Sequence, residues 1–161
     1  MPLSADLGID IVSCRLDHIH FIRRGGSEDV DDSREVDTKV ELGVAAPEGD
    51  TLSVRLKLTL DDAPVARISV AYVVTLRKTE QFRFEGSEAD AWRNIAARLA
   101  PVILYPFLRE TVATTLQKSG LPGPVPPILD FRRVFEPSEI KWEIEHEAET
   151  KLDEASEPAR N

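Results

Sequence analysis

The sequence predicts an α+β domain. Apolar and polar residues alternate with period two from about residue 36 to residue 76. From Ser87 onwards the apolar residues take helical spacing instead. Prolines then cluster at two places, Pro101/Pro106 within the helical stretch and Pro122 to Pro127 just after it. A block of strands followed by a block of helix is the order expected when helices gather on one part of an antiparallel sheet.

Residues 9 to 23 (Ile9 to Arg23) look extended, with Ile19 and Phe21 facing opposite to His18 and His20. The next segment, Gly25 to Ser33, is polar, and a mobile loop is expected there. It is longer than a tight hairpin, so it permits a crossover to a non-adjacent sheet position. Val36, Thr38, Val40, Leu42 and Val44 then alternate with Asp37, Lys39, Glu41 and Gly43. Pro47-Glu48-Gly49-Asp50 is turn chemistry. Leu52 to Leu60 alternate in the same way, and Asp61-Asp62-Ala63-Pro64 makes the next turn. Ala66, Ile68, Val70, Tyr72, Val74 and Leu76 share one face of a further strand, expected to run on towards Phe84. Three strands with short turns read as a meander with one buried and one more polar face.

Ser87 is a plausible helix N-cap. Trp92, Ile95, Ala96, Leu99, Ile103, Val112 and Leu116 follow with helical spacing. Ser119-Gly120 supplies the stop, so the helix should end near Lys118. A proline inside a helix removes one backbone bond and costs about 3 kcal/mol. Pro101 and Pro106 therefore predict a bend or partial break between residues 101 and 106. Leu121 to Ile128 holds four prolines in eight residues, a stiff apolar segment short of backbone donors. A short helix is expected around Leu129 to Phe135. Ile140, Trp142 and Ile144 then alternate with charged residues as a strand would, and the last dozen residues are expected to be disordered.

The chain has 161 residues, enough for one domain. The expected division is a folded unit at 1–136 and an acidic C-terminal extension at 137–161. Nine acidic and three basic residues from Glu136 onwards give −6 of the formal −9, leaving −3 elsewhere. Without a basic stripe, nucleic acid is a poor partner. No run of about 18 apolar residues predicts a membrane span, and Met1 to Asp6 does not read as a signal peptide. With a single cysteine, Cys14, these features suit the cytoplasm.

The run Pro101-Val102-Ile103-Leu104-Tyr105-Pro106-Phe107-Leu108-Arg109-Glu110 resembles the SecB-type export chaperones. In that family a Pro-x-x-x-x-Pro-aromatic-x-Arg-Glu run sits in the first long helix. Cys14 to Phe21 stands where those chaperones carry a first strand. Leu121-Pro122 and Pro127-Ile128-Leu129-Asp130-Phe131 are similar to the family's Phe-Pro and Ala-Pro-Val-Asn-Phe. The similarity covers roughly residues 9 to 135. It implies a four-stranded antiparallel sheet with the long proline-bent helix and a short second helix on one face. It also implies dimers paired into a tetramer and ATP-independent holding of unfolded polypeptide in apolar grooves. The acidic end matches no family tail for docking on the translocase motor. Two roles therefore stay open, preprotein export and the family branch that stabilises the antitoxin of a toxin–antitoxin system.

On that resemblance the candidates for client binding are Tyr105, Phe107, Leu121, Pro122, Val125, Ile128 and Phe131. The competing reading is that some of them fill the core or an oligomer interface. Arg109-Glu110 reads as a charge pair, structural or functional. His18 and His20 share a strand face, but no third ligand stands nearby, so no metal site is expected. No Gly-rich phosphate loop or Gly-x-Ser-x-Gly elbow occurs, and neither an enzyme nor a cofactor is expected. The alternatives are a small-ligand-binding α+β domain, which would be a monomer with an enclosed pocket, and a non-enzymatic scaffold.

Overall fold

A computed structural model describes residues 8–25, 36–62, 65–121 and 126–143. Strands β1 (Ile9–Arg23), β2 (Asp37–Val44), β3 (Thr51–Asp62) and β4 (Ala66–Lys78) form one antiparallel sheet in the order β1-β4-β3-β2. The meander is β2-β3-β4. The first strand crosses over to pair with the last, as the length of the polar connection allows. Much of that connection, residues 26–35, lies outside the described residues. The strand expected to continue towards Phe84 stops at Lys78. Beyond it the chain turns at Thr79 to Phe82 (Phe82 N–H to Thr79 O, 3.0 Å), and Phe82 packs on Trp92 at 5.9 Å instead of joining the sheet.

Alternation does its work most clearly in β3. Leu52, Val54, Leu56, Leu58 and Leu60 are buried under the helical layer, while Ser53, Arg55 and Lys57 face outwards. Helix α1 (Glu88–Asn94), a π-helical turn (Ile95–Leu99) and helix α2 (Ala100–Lys118) follow one another without a gap, in segments of 7, 5 and 19 residues. The Ser87 hydroxyl accepts from Asp90 N–H at 3.1 Å and starts this rod. Gly120 at φ 72° ends it, with Leu121 N–H returning to Leu116 O at 3.1 Å. Trp92, Ala96, Leu104, Leu108 and Val112 pack against the inner face of β3 and β4.

The irregularity lies upstream of the expected 101–106 break. It is the widened turn at 95–99, where Ala100 N–H reaches back to Ile95 O. A proline ring clashes with the carbonyl four residues before it, which for Pro101 is that of Ala97. Widening the preceding turn to five-residue bonds removes that clash while keeping the rod unbroken. Pro106, inside α2, is exposed and tolerated there.

After the proline-rich segment comes α3 (Phe131–Val134), capped by the Asp130 carboxylate on Arg132 N–H, then a 3-10 turn at Pro137–Glu139. Of the strand expected from 140 to 144, the described residues 140–143 make a single parallel bridge, Ala45 to Glu143, and Ile144 lies outside the described residues. The beginning of the presumed extension packs back on the fold. Ile140 and Trp142 lie against the core, and Arg93 sits 5.2 Å above the Trp142 ring. The expected disorder of the last dozen residues falls outside the described residues.

Candidate functional site

The described end of the proline-rich segment, Pro126 and Pro127, is held by α2. Pro126 and Pro127 cannot donate, but their carbonyls still accept. The Tyr105 hydroxyl donates to Pro127 O at 2.6 Å, and Arg109 Nε donates to Pro126 O at 3.0 Å. Both come from one face of α2, four residues apart, as neighbouring helix turns require. Tyr105 is only 5% exposed, and burial pushes its hydroxyl pKa up against the pull of the nearby Arg109 charge. Phe131 meets the Tyr105 ring edge-on at 5.1 Å and stacks on Phe135 at 6.2 Å. Ile128, one residue beyond the clamped carbonyls, is 87% exposed. A stiff lip therefore presents an aliphatic side chain to solvent from a buried aromatic base.

The candidates separate into groups. Tyr105, Ile128 and Phe131 come together at this lip, and Leu121 packs against the core just past the end of α2. Pro122 and Val125 lie outside the described residues. Phe107 sits elsewhere on α2, 44% exposed and stacked on Tyr72 at 5.8 Å, with Tyr72 OH and Thr111 Oγ1 2.9 Å apart below it. Arg109 serves the lip and makes no ion pair with Glu110 among the described residues. Adjacent helix residues point in different directions. No three His, Cys, Asp or Glu side chains among the described residues are placed to hold a metal. His18 instead meets Arg55, which also donates to Asp17 at 2.7 Å and holds that carboxyl below its ordinary range.

Two apolar surfaces went unread in the sequence. A groove of about 440 Å³ lies between β2 and residues 134 to 143. Val40, Leu42, Val44, Val134, Phe135 and Ile140 line its apolar part, and Glu136, Glu139 and Glu143 stand with Lys141 around it. The other is β1. Its inner face carries Ile11, Leu16 and Ile19, all exposed, because the helices pack over β3 and β4 and leave the outermost strand bare. Alternation foretold that β1 has an apolar face. Only the strand order reveals that, among the described residues, Ile11, Leu16 and Ile19 are left uncovered.

This α+β arrangement has relatives. The family model for preprotein translocase subunit SecB matches residues 27–141. The protein-export protein SecB of Nitrosomonas europaea is 24% identical over 101 residues, 63% of each chain. This chain thus matches rather less than two thirds of that relative's length. Among solved structures, a Mycobacterium tuberculosis SecB-like chaperone, determined in complex with a peptide from the HigA1 antitoxin, superposes with a TM-score of 0.61 at 21% identity. The match covers 75% of this chain and 87% of that one. On the extent of the family match, this chain belongs to the SecB family.

Proposed function

We propose that this chain is an ATP-independent chaperone that holds unfolded polypeptide against its exposed apolar surfaces. The observation that carries the reading is the clamped lip, with Ile128 held out in solvent over a base of Tyr105 and Phe131. A non-native chain offers apolar side chains of unpredictable order, and a prearranged rigid surface binds them with little loss of its own conformational entropy. Ile128 and Phe107 contact the client directly in this reading, whereas Tyr105 and Phe131 support the lip. Nothing in this role requires catalysis or a cofactor, and it suits a cytoplasmic protein.

Of the two client classes, an antitoxin is favoured over a preprotein. What favours it is that the mycobacterial neighbour was solved with an antitoxin peptide. The bare inner face and open edge of β1 belong, in this reading, to a second copy of the chain, giving dimers and then a tetramer. The test is suppression of aggregation of a chemically unfolded protein without nucleotide, with light scattering to give the assembly mass. Suppression by a tetramer is expected. A monomer that suppresses nothing would sink the reading and favour the small-ligand alternative.

A further inference from the structure

The helices pack over the inner side of β3 and β4, and the side chains between the core positions of each strand point to the other side. On that outer face of β4, Ser69, Ala71, Val73 and Thr75 are short and form a floor, with Arg67 and Arg77 at its two ends. Arg55 and Lys57 stand beside the floor on β3, and Arg15, His18 and His20 stand beside it on β1. The carboxylates over these three strands are Asp10, Asp17 and Asp61, which meet Arg77 at 3.5 Å, Arg55 at 2.7 Å and Arg67 at 3.8 Å. Arg15 has no ion pair among the described residues. On β2, Lys39 is outnumbered by Asp37 and Glu41. The positive excess therefore lies over β4 and β1, in a chain whose formal charge is −9.

The described chain ends on this same face. Ile140 lies against the core on the inner side. At Glu143 the chain has reached the edge of β2, where its N–H donates to Val44 O at 2.7 Å in a parallel bridge with Ala45. Leu42 and Val44 point inwards, so Gly43 between them faces outwards. A Cβ added to Gly43 would lie 2.8 Å from the Glu143 carboxylate, which therefore already sits on the outer side. Beside it opens a cavity of about 300 Å³ lined by Ala45, Ala46, Glu48, Thr51, Ser53 and Glu143. From that point the sheet is crossed by a row of short outward residues, Ala45, Ser53, Thr75 and Ser13. Arg55 and Arg15 flank this row on one side, and Arg77 flanks it on the other.

Residues 144–161 follow Glu143 and lie outside the described residues. They carry Glu145, Glu147, Glu149, Asp153, Glu154 and Glu157 against Lys151 and Arg160. We propose that this segment turns back over the outer face of its own sheet, where Glu145, Glu147 and Glu149 meet Arg55 and Arg15. The reach is sufficient. Three steps between strands of about 4.8 Å make about 14 Å, which about five extended residues span at about 3.3 Å each. Alternate residues of an extended segment share a side, so the three glutamates come together on the arginine side. Glu48 repels at the entrance, and the attraction begins beyond it. Individual exposed ion pairs are weak, but a tethered segment meets its partner at high effective concentration. The contact needs nothing from the chaperone role, because it occupies the face opposite the lip and the groove.

A carbodiimide that joins a carboxylate directly to an amine tests the contact in the full chain. In the Arg15→Lys variant, position 15 should become linked to Glu145, Glu147 or Glu149, as read by mass spectrometry of the digested protein. Refolding heavy-isotope and light-isotope chains together separates links within one chain from links between copies. Raising the salt to about 1 M, where the Debye length is about 3 Å, should cut the yield about tenfold. Independently, Arg15→Glu should let a glutamate-specific protease cut within 144–161 about threefold faster, with unchanged far-ultraviolet circular dichroism. Links found only between heavy and light chains would give the face to another copy's segment and overturn the proposal. No link at position 15, a yield indifferent to salt, or an unchanged cutting rate would overturn it too. None of these results touches the chaperone reading, which falls on the aggregation assay alone.

Discussion

At the residue scale, Tyr105 and Arg109 do work that their place in an apolar helix does not announce. Each spends a polar group on a proline carbonyl. Tyr105→Phe keeps the ring against Phe131 and removes only the hydroxyl, so about 1 kcal/mol should be lost in urea unfolding. Freed from one clamp, the lip should also release clients faster, which a dissociation-rate measurement reads separately from stability. Asp130 gives a pH-dependent test at the start of the short helix. Arg132, through its side chain and its backbone N–H, holds the Asp130 carboxyl below the ordinary range. A depressed folded-state pKa means its stabilisation is present above about pH 4, the unfolded carboxylate value, and is lost as pH falls through the folded value. Thermal melts of the wild type and Asp130→Ala should therefore differ at pH 5 and converge towards pH 2. The proline carbonyls explain why this level was hard to read. Arg109 looked like half of a pair with Glu110, because a sequence displays neighbours along the chain and hides a partner 17 residues away.

At the scale of elements, local signals were strong wherever local chemistry decides. The Ser87 cap, the Gly120 stop and the alternation in β3 each depend on a few adjacent residues. The widened turn at 95–99 does not, because it is Pro101 acting backwards on a turn whose own residues, Ile-Ala-Ala-Arg-Leu, are ordinary helix formers. Likewise Ile140 to Glu143 has the alternation of a strand but finds only one bridge. Its fate is set by the end of β2 and by Arg93 over Trp142. The clasp of Glu143 on Val44 beside Gly43, N–H to O at 2.7 Å, makes this testable. Gly43→Val places a branched side chain against the Glu143 carboxylate, and the flexible glutamate can move aside at small cost. The sheet should survive with stability changed by less than about 1 kcal/mol. Trp142 should become more accessible to acrylamide quenching, while Trp92, buried under Phe82, should not. Unchanged quenching would mean that the clasp does not hold this segment down.

For the whole molecule, the decisive fact is which strand lies outermost. Strand order puts β1 at one edge with Ile11, Leu16 and Ile19 uncovered, and β2 at the other beside its groove. The two edges are unlike in length, 15 residues against 8, and in what borders them. Leu16→Asp combined with Ile19→Asp sets charge on the bare face without touching the buried core. It should lower the mass seen by light scattering while the far-ultraviolet circular dichroism stays unchanged. Assembly that withstands the double change would remove β1 from the interface.

The placement of β1 also bears on how the chain is made. Ile9 pairs with Lys78 and Arg23 with Ala66, so the strand synthesised first has no partner until the strand synthesised last of the four has emerged. At roughly 5–20 residues per second, the first strand waits on the order of seconds outside the ribosome with its apolar side chains bare and both edges open. A chain read as a guardian of unfinished polypeptides is, during its own birth, one of them. A mature copy already carries the surfaces that could shelter it.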